Sequence, residues 1–117
     1  MSSKRKMQIC EMIQGNIELI SGCLDSKNEL VRMDAILWAA YHNCNDESTV
    51  SRIKELKTDS SGSMGYTVGD YAVAALDRLN IEKYSGNDRY MKAFIDGFIP
   101  TKQEAENILR NNSAKTA

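Results

Sequence analysis

Val31-Arg32-Met33-Asp34-Ala35-Ile36-Leu37-Trp38-Ala39 is the stretch on which the fold turns. Between Glu29 and His42 the apolar residues Leu30, Val31, Met33, Ala35, Ile36, Leu37, Trp38, Ala39, Ala40 and Tyr41 cover nearly every face of a helix. A helix with one side in water keeps a polar stripe, so this one is predicted to be central and enclosed on both sides. Asp34 lies inside that run. A carboxylate in an enclosed helix needs a partner, here Arg32 one half-turn away or a lysine or arginine from another helix.

Working outward, His42-Asn43-Cys44-Asn45-Asp46 reads as a short turn with Asn45 or Asp46 as the N-cap of the next helix, Thr49 to Lys57. That helix is amphipathic, with Val50, Ile53 and Leu56 opposite Ser51, Arg52, Lys54, Glu55 and Lys57. So short a connection predicts antiparallel neighbours. From Thr58 to Tyr66 the Gly- and Ser-rich run reads as an exposed flexible loop, to which Met64 and Tyr66 add apolar groups. Helices are then predicted from Val68 to about Asn80, from Asp88 to Phe98 and from Lys102 to Arg110. On the N-terminal side Met7, Cys10, Ile13, Ile17, Ile20 and Leu24 keep a helical step, with Gly15-Asn16 breaking it into two helices.

Four capping-box patterns mark helix starts: Ser26-x-x-Glu29, Thr67-x-x-Asp70, Ser85-x-x-Asp88 and Thr101-x-x-Glu104. Pro100, the single proline, precedes the last of them. Strands would need alternating runs rich in Val, Ile and Thr, which are missing apart from short ambiguous pieces. The chain is therefore expected to be all-α, one domain over residues 1–112, with a polar tail over 113–117 that has no face to bury and should fray.

The central stretch has an echo 37 residues on, Val68-Gly69-Asp70-Tyr71-Ala72-Val73-Ala74-Ala75-Leu76, each beginning with Val and placing Ala four residues later. Alanine-rich helices thus alternate with shorter amphipathic ones, at a period near that of two-helix solenoids. The Val31-Arg32-x-x-Ala35-x-x-x-Ala39 pattern resembles the HEAT repeat family, over about Ile17 to Phe94. It departs from that pattern at Gly69, which stands where the arginine would be, and in lacking a proline kink. The resemblance implies antiparallel helix pairs stacked as a short HEAT-like superhelix of about six to seven helices.

The totals restrict the function classes. With 42% hydrophobic and 26% charged residues among 117, the chain has the composition of a self-standing globular domain. Fifteen basic residues against sixteen acidic ones create no overall field toward nucleic acid or an anionic membrane, so neither is an expected partner. No run approaches the roughly 18 apolar residues of a transmembrane helix. Cys10, Cys23 and Cys44 are odd in number and no secretory signal is read at the N-terminus, which predicts free thiols and a cytoplasmic protein.

Catalytic and metal chemistry find little footing. His42 stands two residues before Cys44, but nucleophilic catalysis needs the imidazole in reach of the thiol and a third group to orient it. A histidine at a helix C-terminus, favoured by the dipole, is the simpler reading. Three scattered cysteines and one histidine lack zinc spacing, and Gly62-Ser63-Met64-Gly65 lacks the lysine and hydroxyl of a phosphate loop. No cofactor, metal or enzymatic activity is expected.

A stack of helix pairs acts by presenting a surface. The candidate contact residues are the acids and tyrosines near the two longer loops: Asp46, Glu47, Asp59, Tyr66, Asp70, Tyr71 and Tyr84. Carboxylates with tyrosines suit a basic partner such as a nuclease. In size, thiol usage and short repeat array the chain is similar to the small immunity proteins of bacterial toxin systems, including contact-dependent growth inhibition. That similarity implies binding to a cognate toxin domain and occlusion of its active site. The alternative is a non-catalytic HEAT-like scaffold or adaptor subunit.

Overall fold

Asn28 starts the central helix by accepting the Leu30 amide proton on its side-chain oxygen at 2.9 Å. The helix then runs Glu29–Tyr41 (α3), with Ala35, Ile36 and Ala39 wholly inaccessible. Ser26, the predicted cap, sits two residues earlier and accepts from the Asn28 amide instead. An Asn caps as well as a Ser, and Asn28 has the extended backbone of a cap.

A computed structural model describes residues 3–63 and 65–116. Met64, read above as part of the loop, lies outside the described residues. Before α3 come α1 (Ser3–Ile13) and α2 (Ile17–Cys23). They are separated where predicted: Gly15 takes φ +93°, a conformation costly to any L side chain, and Asn16 caps α2 through the Leu19 amide. After α3 come α4 (Glu47–Glu55), a 3-10 turn at Leu56–Thr58, β1 (Gly62–Ser63), β2 (Tyr66–Thr67), α5 (Val68–Arg78), α6 (Arg89–Asp96) and α7 (Lys102–Thr116). Seven α-helices among the described residues make the chain all-α; its one sheet is the two-residue hairpin β1–β2, paired Gly62 to Thr67 and Ser63 to Tyr66.

The packing order is α2, α3, α5, α6, each against the next, with α1 on α2 and α3 and α7 on α1. Although a short turn joins it to α3, α4 packs chiefly on α5. Alanines at both faces allow close approach of α3 and α5, with Ala72, Ala74 and Ala75 as inaccessible as those of α3. One core runs through the stack, from Ile9 and Met12 to Ile95 and Phe98.

Gly69, the departure from the repeat pattern, has a packing cause. Its amide donates to the Asp59 carbonyl at 2.9 Å, and a Cβ there would lie 2.5 Å from the Lys57 carbonyl oxygen. The 3-10 turn lies directly on the first turn of α5, so an arginine has no room. Thr67 and Asp70 complete the capping box of that helix in both directions, at 3.0 Å each. Asp88, not Ser85, caps α6, and Thr101 caps α7 through the Glu104 amide. The last helix continues to Thr116, past the predicted stop at Arg110.

Candidate functional site

The seven candidate residues separate into three places. Asp46 and Glu47 stand at the N-terminus of α4; Asp59, Tyr66, Asp70 and Tyr71 gather beyond its other end; Tyr84 follows α5. Nine helical residues between the first two groups put about 13 Å of axis between them.

At the first place Asp46 is committed to its helix. Its carboxylate accepts the Thr49 amide at 3.1 Å and the Ser48 and Thr49 hydroxyls at 2.9 Å each. These bonds hold its carboxyl below the ordinary aspartate value, the Thr49 amide contributing most. Glu47 is exposed beside it. Against them comes α2, so that Ile17, Glu18, Ser21, Gly22, Asp25, Asp46, Ser48 and Thr49 line an open groove of about 430 Å³. Asp25 also meets Arg52 of α4 at 2.9 Å, which ties the two walls. The groove has an apolar element, Ile17 at 44% exposure, a glycine in its lining and carboxylates on both sides.

At the second place the acids are spent internally. Arg32 leaves α3 sideways, donating to the Ser26 carbonyl at 2.6 Å and the Ser61 hydroxyl at 2.8 Å and meeting Asp59 at 3.1 Å. Partial burial alone would raise the Asp59 carboxyl. The Ser61 hydroxyl and amide together with Arg32 outweigh it and hold the group below its ordinary value. Asp70 is engaged in the capping box. Tyr66 stacks on Phe94 with ring centres 4.1 Å apart, and Tyr71 touches Phe94 and Phe98 edge-on or tilted, at 5.3 and 5.4 Å. Burial, then the charge of Asp34, push the Tyr71 phenol up. This aromatic cluster anchors the hairpin and α6 to α5.

Tyr84 lies over a shallow cavity of about 260 Å³ that includes Lys57, Glu82 and Lys83. Its amide donates to Asp77 at 2.8 Å, and Glu82 pairs with Lys57 at 2.7 Å. The opposed charges around it pair with one another and leave no field of one sign.

Other polar groups of the core are equally engaged. Asp34 finds its partner on another helix, Arg5 of α1, at 3.0 Å. Burial pushes its carboxyl above the usual aspartate value, and the hydrogen bond and charge of Arg5 draw it only part of the way back. His42 caps α3, and its Nε2 meets the Met12 carbonyl at 2.8 Å. The Cys44 thiol is buried and pushed up by that burial and then by Asp46; Cys23 is pushed up by burial and then by Asp34. A histidine used as a tether and protonated thiols do not make a nucleophile. Among the described residues no group of three or more His, Cys, Asp or Glu is placed to hold a metal ion, and no helix is long and apolar enough to cross a membrane.

No family model, curated protein or solved structure matches the chain. The site must be judged on geometry, and geometry favours the groove between α2 and α4. Glu18 and Asp25, which face Asp46 across it, escaped the sequence reading. Their only signal was position: both lie in or just after α2, and nothing in their spacing relates them to a turn twenty residues on.

Proposed function

We propose that this chain is a non-catalytic protein-binding module of the immunity type, which neutralises a basic toxin domain, a nuclease in the leading case, by binding over its active site. The observation that supports this reading is the acidic groove. Glu18, Asp25 and Asp46 bring carboxylates from two segments of the chain to one open concavity, with Glu47 exposed next to Asp46 in sequence and Ile17 at hand for apolar contact. A nuclease site, built to attract phosphate, is complementary to such a surface, and paired charges across an interface speed association and select the partner. The module would act in the cytoplasm, where its free thiols stay reduced.

The geometry changes which residues can test the idea. Asp46, Asp59 and Asp70 hold the fold together through a cap, an ion pair and a capping box, so reversing them would confuse unfolding with lost binding. Glu18 and Glu47 are exposed and make no such bonds. The chain is to be co-expressed with the product of the gene directly upstream of its own. The expected outcome is a stable complex and protected cells, with Glu18→Lys/Glu47→Lys weakening the complex at least about tenfold at unchanged melting temperature. A complex indifferent to both reversals and to salt would overturn the acidic groove as the contact. The scaffold reading is favoured by a different observation, the exposure of Tyr90 on α6.

A further inference from the structure

The connection between α5 and α6, residues 80–88, contains no helix or strand and is held unevenly. Its first three amides finish α5: Asn80 donates to the Asp77 carbonyl at 3.0 Å, and Ile81 and Glu82 both donate to the Leu76 carbonyl, at 2.9 and 3.2 Å. Beyond Glu82, Tyr84 is the one residue of the connection whose backbone amide meets an acceptor among the described residues, the Asp77 carboxylate at 2.8 Å. The two ends are fixed. Asn80 takes a left-handed φ of +61°, as residues that end a helix do, and Asp88 caps α6 through the Tyr90 and Met91 amides.

Two carboxylates tie the middle of this segment to the body. Asp77, besides accepting from the Tyr84 amide, meets the Lys83 ammonium at 3.6 Å. Glu82 meets Lys57 at 2.7 Å and Lys54 at 3.8 Å, which reach it from the 3-10 turn and from α4. The aromatic anchor, Tyr84, is half-buried and turns back on its own segment: a Cβ at Gly86 would collide with its hydroxyl and ring. Tyr84 also borders two cavities. One is the space of about 260 Å³ with Val73 and Leu76 in its lining, and the second, of about 190 Å³, includes Asp77, Ile95 and Asp96. A ring with voids beside it forfeits part of the dispersion contact that would otherwise hold it.

We infer that residues 82–87 form a latch, which Asp77 and Glu82 hold closed over the flank of α5 and which opens as a unit while the helices stay folded. Segments with few buried apolar contacts and few backbone hydrogen bonds open at a lower free energy than the whole molecule. The fixed ends at Asn80 and Asp88 act as its hinges. Opening breaks the Tyr84 amide bond and the Glu82 pairs, lifts the tyrosine and joins its two cavities into one trough with Val73, Leu76 and Ile95 along it. Leu76, 1% exposed when the latch is closed, is then bared. The latch shares no residue with the lining of the α2–α4 groove, so it is tested apart from the protein-binding reading.

Trypsin digestion of the full chain under native conditions, with fragments read by mass spectrometry, tests the latch. The Lys83 side chain is exposed, but cleavage after it requires the flanking backbone to leave the surface. Where opening and closing are fast, the rate of the cut follows the population of the open form. The expected result is a cut after Lys83 whose rate stays flat in urea below the unfolding transition, whereas cuts inside α3 and α6, after Arg32 and Lys92, follow global unfolding. Asp77→Ala should speed the Lys83 cut about tenfold through the lost charge-assisted bond, and Glu82→Gln about two- to fivefold. Circular dichroism melts confirm that each variant is folded at the assay temperature. A thiol introduced by Leu76→Cys should react with a disulfide reagent in step with the Lys83 cut, and faster by the same factor when Glu82→Gln is added. A Lys83 cut that needs the urea of global unfolding, a rate untouched by both substitutions, or a Leu76→Cys thiol that reacts only on global unfolding would overturn the proposal.

Discussion

Replacing Gly69 with alanine should destabilise the protein, although the same change in an ordinary helix interior stabilises it. The residue lies in the first turn of α5, fully buried, with the backbone of the 3-10 turn against it. An added Cβ would sit 2.5 Å from the Lys57 carbonyl oxygen and 3.1 Å from that of Asp59. Both neighbours are backbone, so they yield only if the turn moves off the helix. Such movement would stretch the 2.9 Å bond from the Gly69 amide to Asp59 and disturb the Asp59–Arg32 pair behind it. Overpacking of this kind costs about 1–3 kcal/mol, against roughly 0.5–1 kcal/mol regained from the lower backbone entropy of alanine. Taken at the middle of both ranges the net loss is about 1 kcal/mol, and at the usual unfolding entropy per residue it lowers the melting temperature of a chain this size by about 4–5 °C. Gly22 is the internal control. It lies in α2, is exposed, and has nothing within 4 Å of its would-be Cβ, so Gly22→Ala should raise stability by about 0.5–1 kcal/mol. Urea and thermal unfolding followed by helical circular dichroism measure both. Equal responses of the two variants would refute the docking of the 3-10 turn on α5.

Three further outcomes follow from the polar contacts. Arg5→Ala, which strands the Asp34 carboxylate, should cost about 1–3 kcal/mol at neutral pH, below the range for a fully buried pair because both side chains keep about a quarter of their surface exposed. Because the folded carboxyl of Asp34 is raised above its unfolded value near 3.8, its contribution is fully present below that pH and is lost as pH rises through the folded value. Asp34→Asn should remove that falling component from a stability profile taken by urea unfolding between acid and neutral pH. Asp46→Ala should cost about 1 kcal/mol at neutral pH through the lost cap. Its carboxyl is depressed, so the wild-type advantage is present above the unfolded value and disappears as pH falls through the folded one, where unfolding curves of the two should converge. In native thiol titration with a disulfide reagent, half-buried Cys10 should label first, with Cys23 and Cys44 resisting until the chain unfolds.

The elements that were legible in the sequence are those specified by neighbours along the chain. Gly15-Asn16 states a break and a cap in two residues, and Thr67 with Asp70 states a helix start in four. The enclosed character of α3 follows from its own composition, and it demanded a partner for Asp34, either Arg32 or a cation from another helix; Arg5 of α1 fills that place and Arg32 does not. Ser26 and Ser85 misled because a capping pattern is satisfied by several registers, and Asn28 and Asp88 stood closer to the helices that formed. Arg32 reads in the sequence as part of the repeat pattern and as a candidate partner of Asp34, whereas it bridges to Ser61 and Asp59, nearly thirty residues away. The hairpin escaped notice since two-residue strands leave no period to count. The groove is the extreme case: its walls, Glu18 and Asp25 on one side and Asp46 on the other, belong to separate local segments and become one surface only when α2 and α4 fold around the end of α3.

Hydrogen exchange on the chain bound to its co-expressed partner tests the central claim most directly, because it maps the contact without altering a residue. The account predicts that added protection concentrates in the segments that line the groove, residues 17–25 and 46–49. Protection confined to residues 59–71 and to Tyr84, with the groove exchanging as in the free chain, would contradict it.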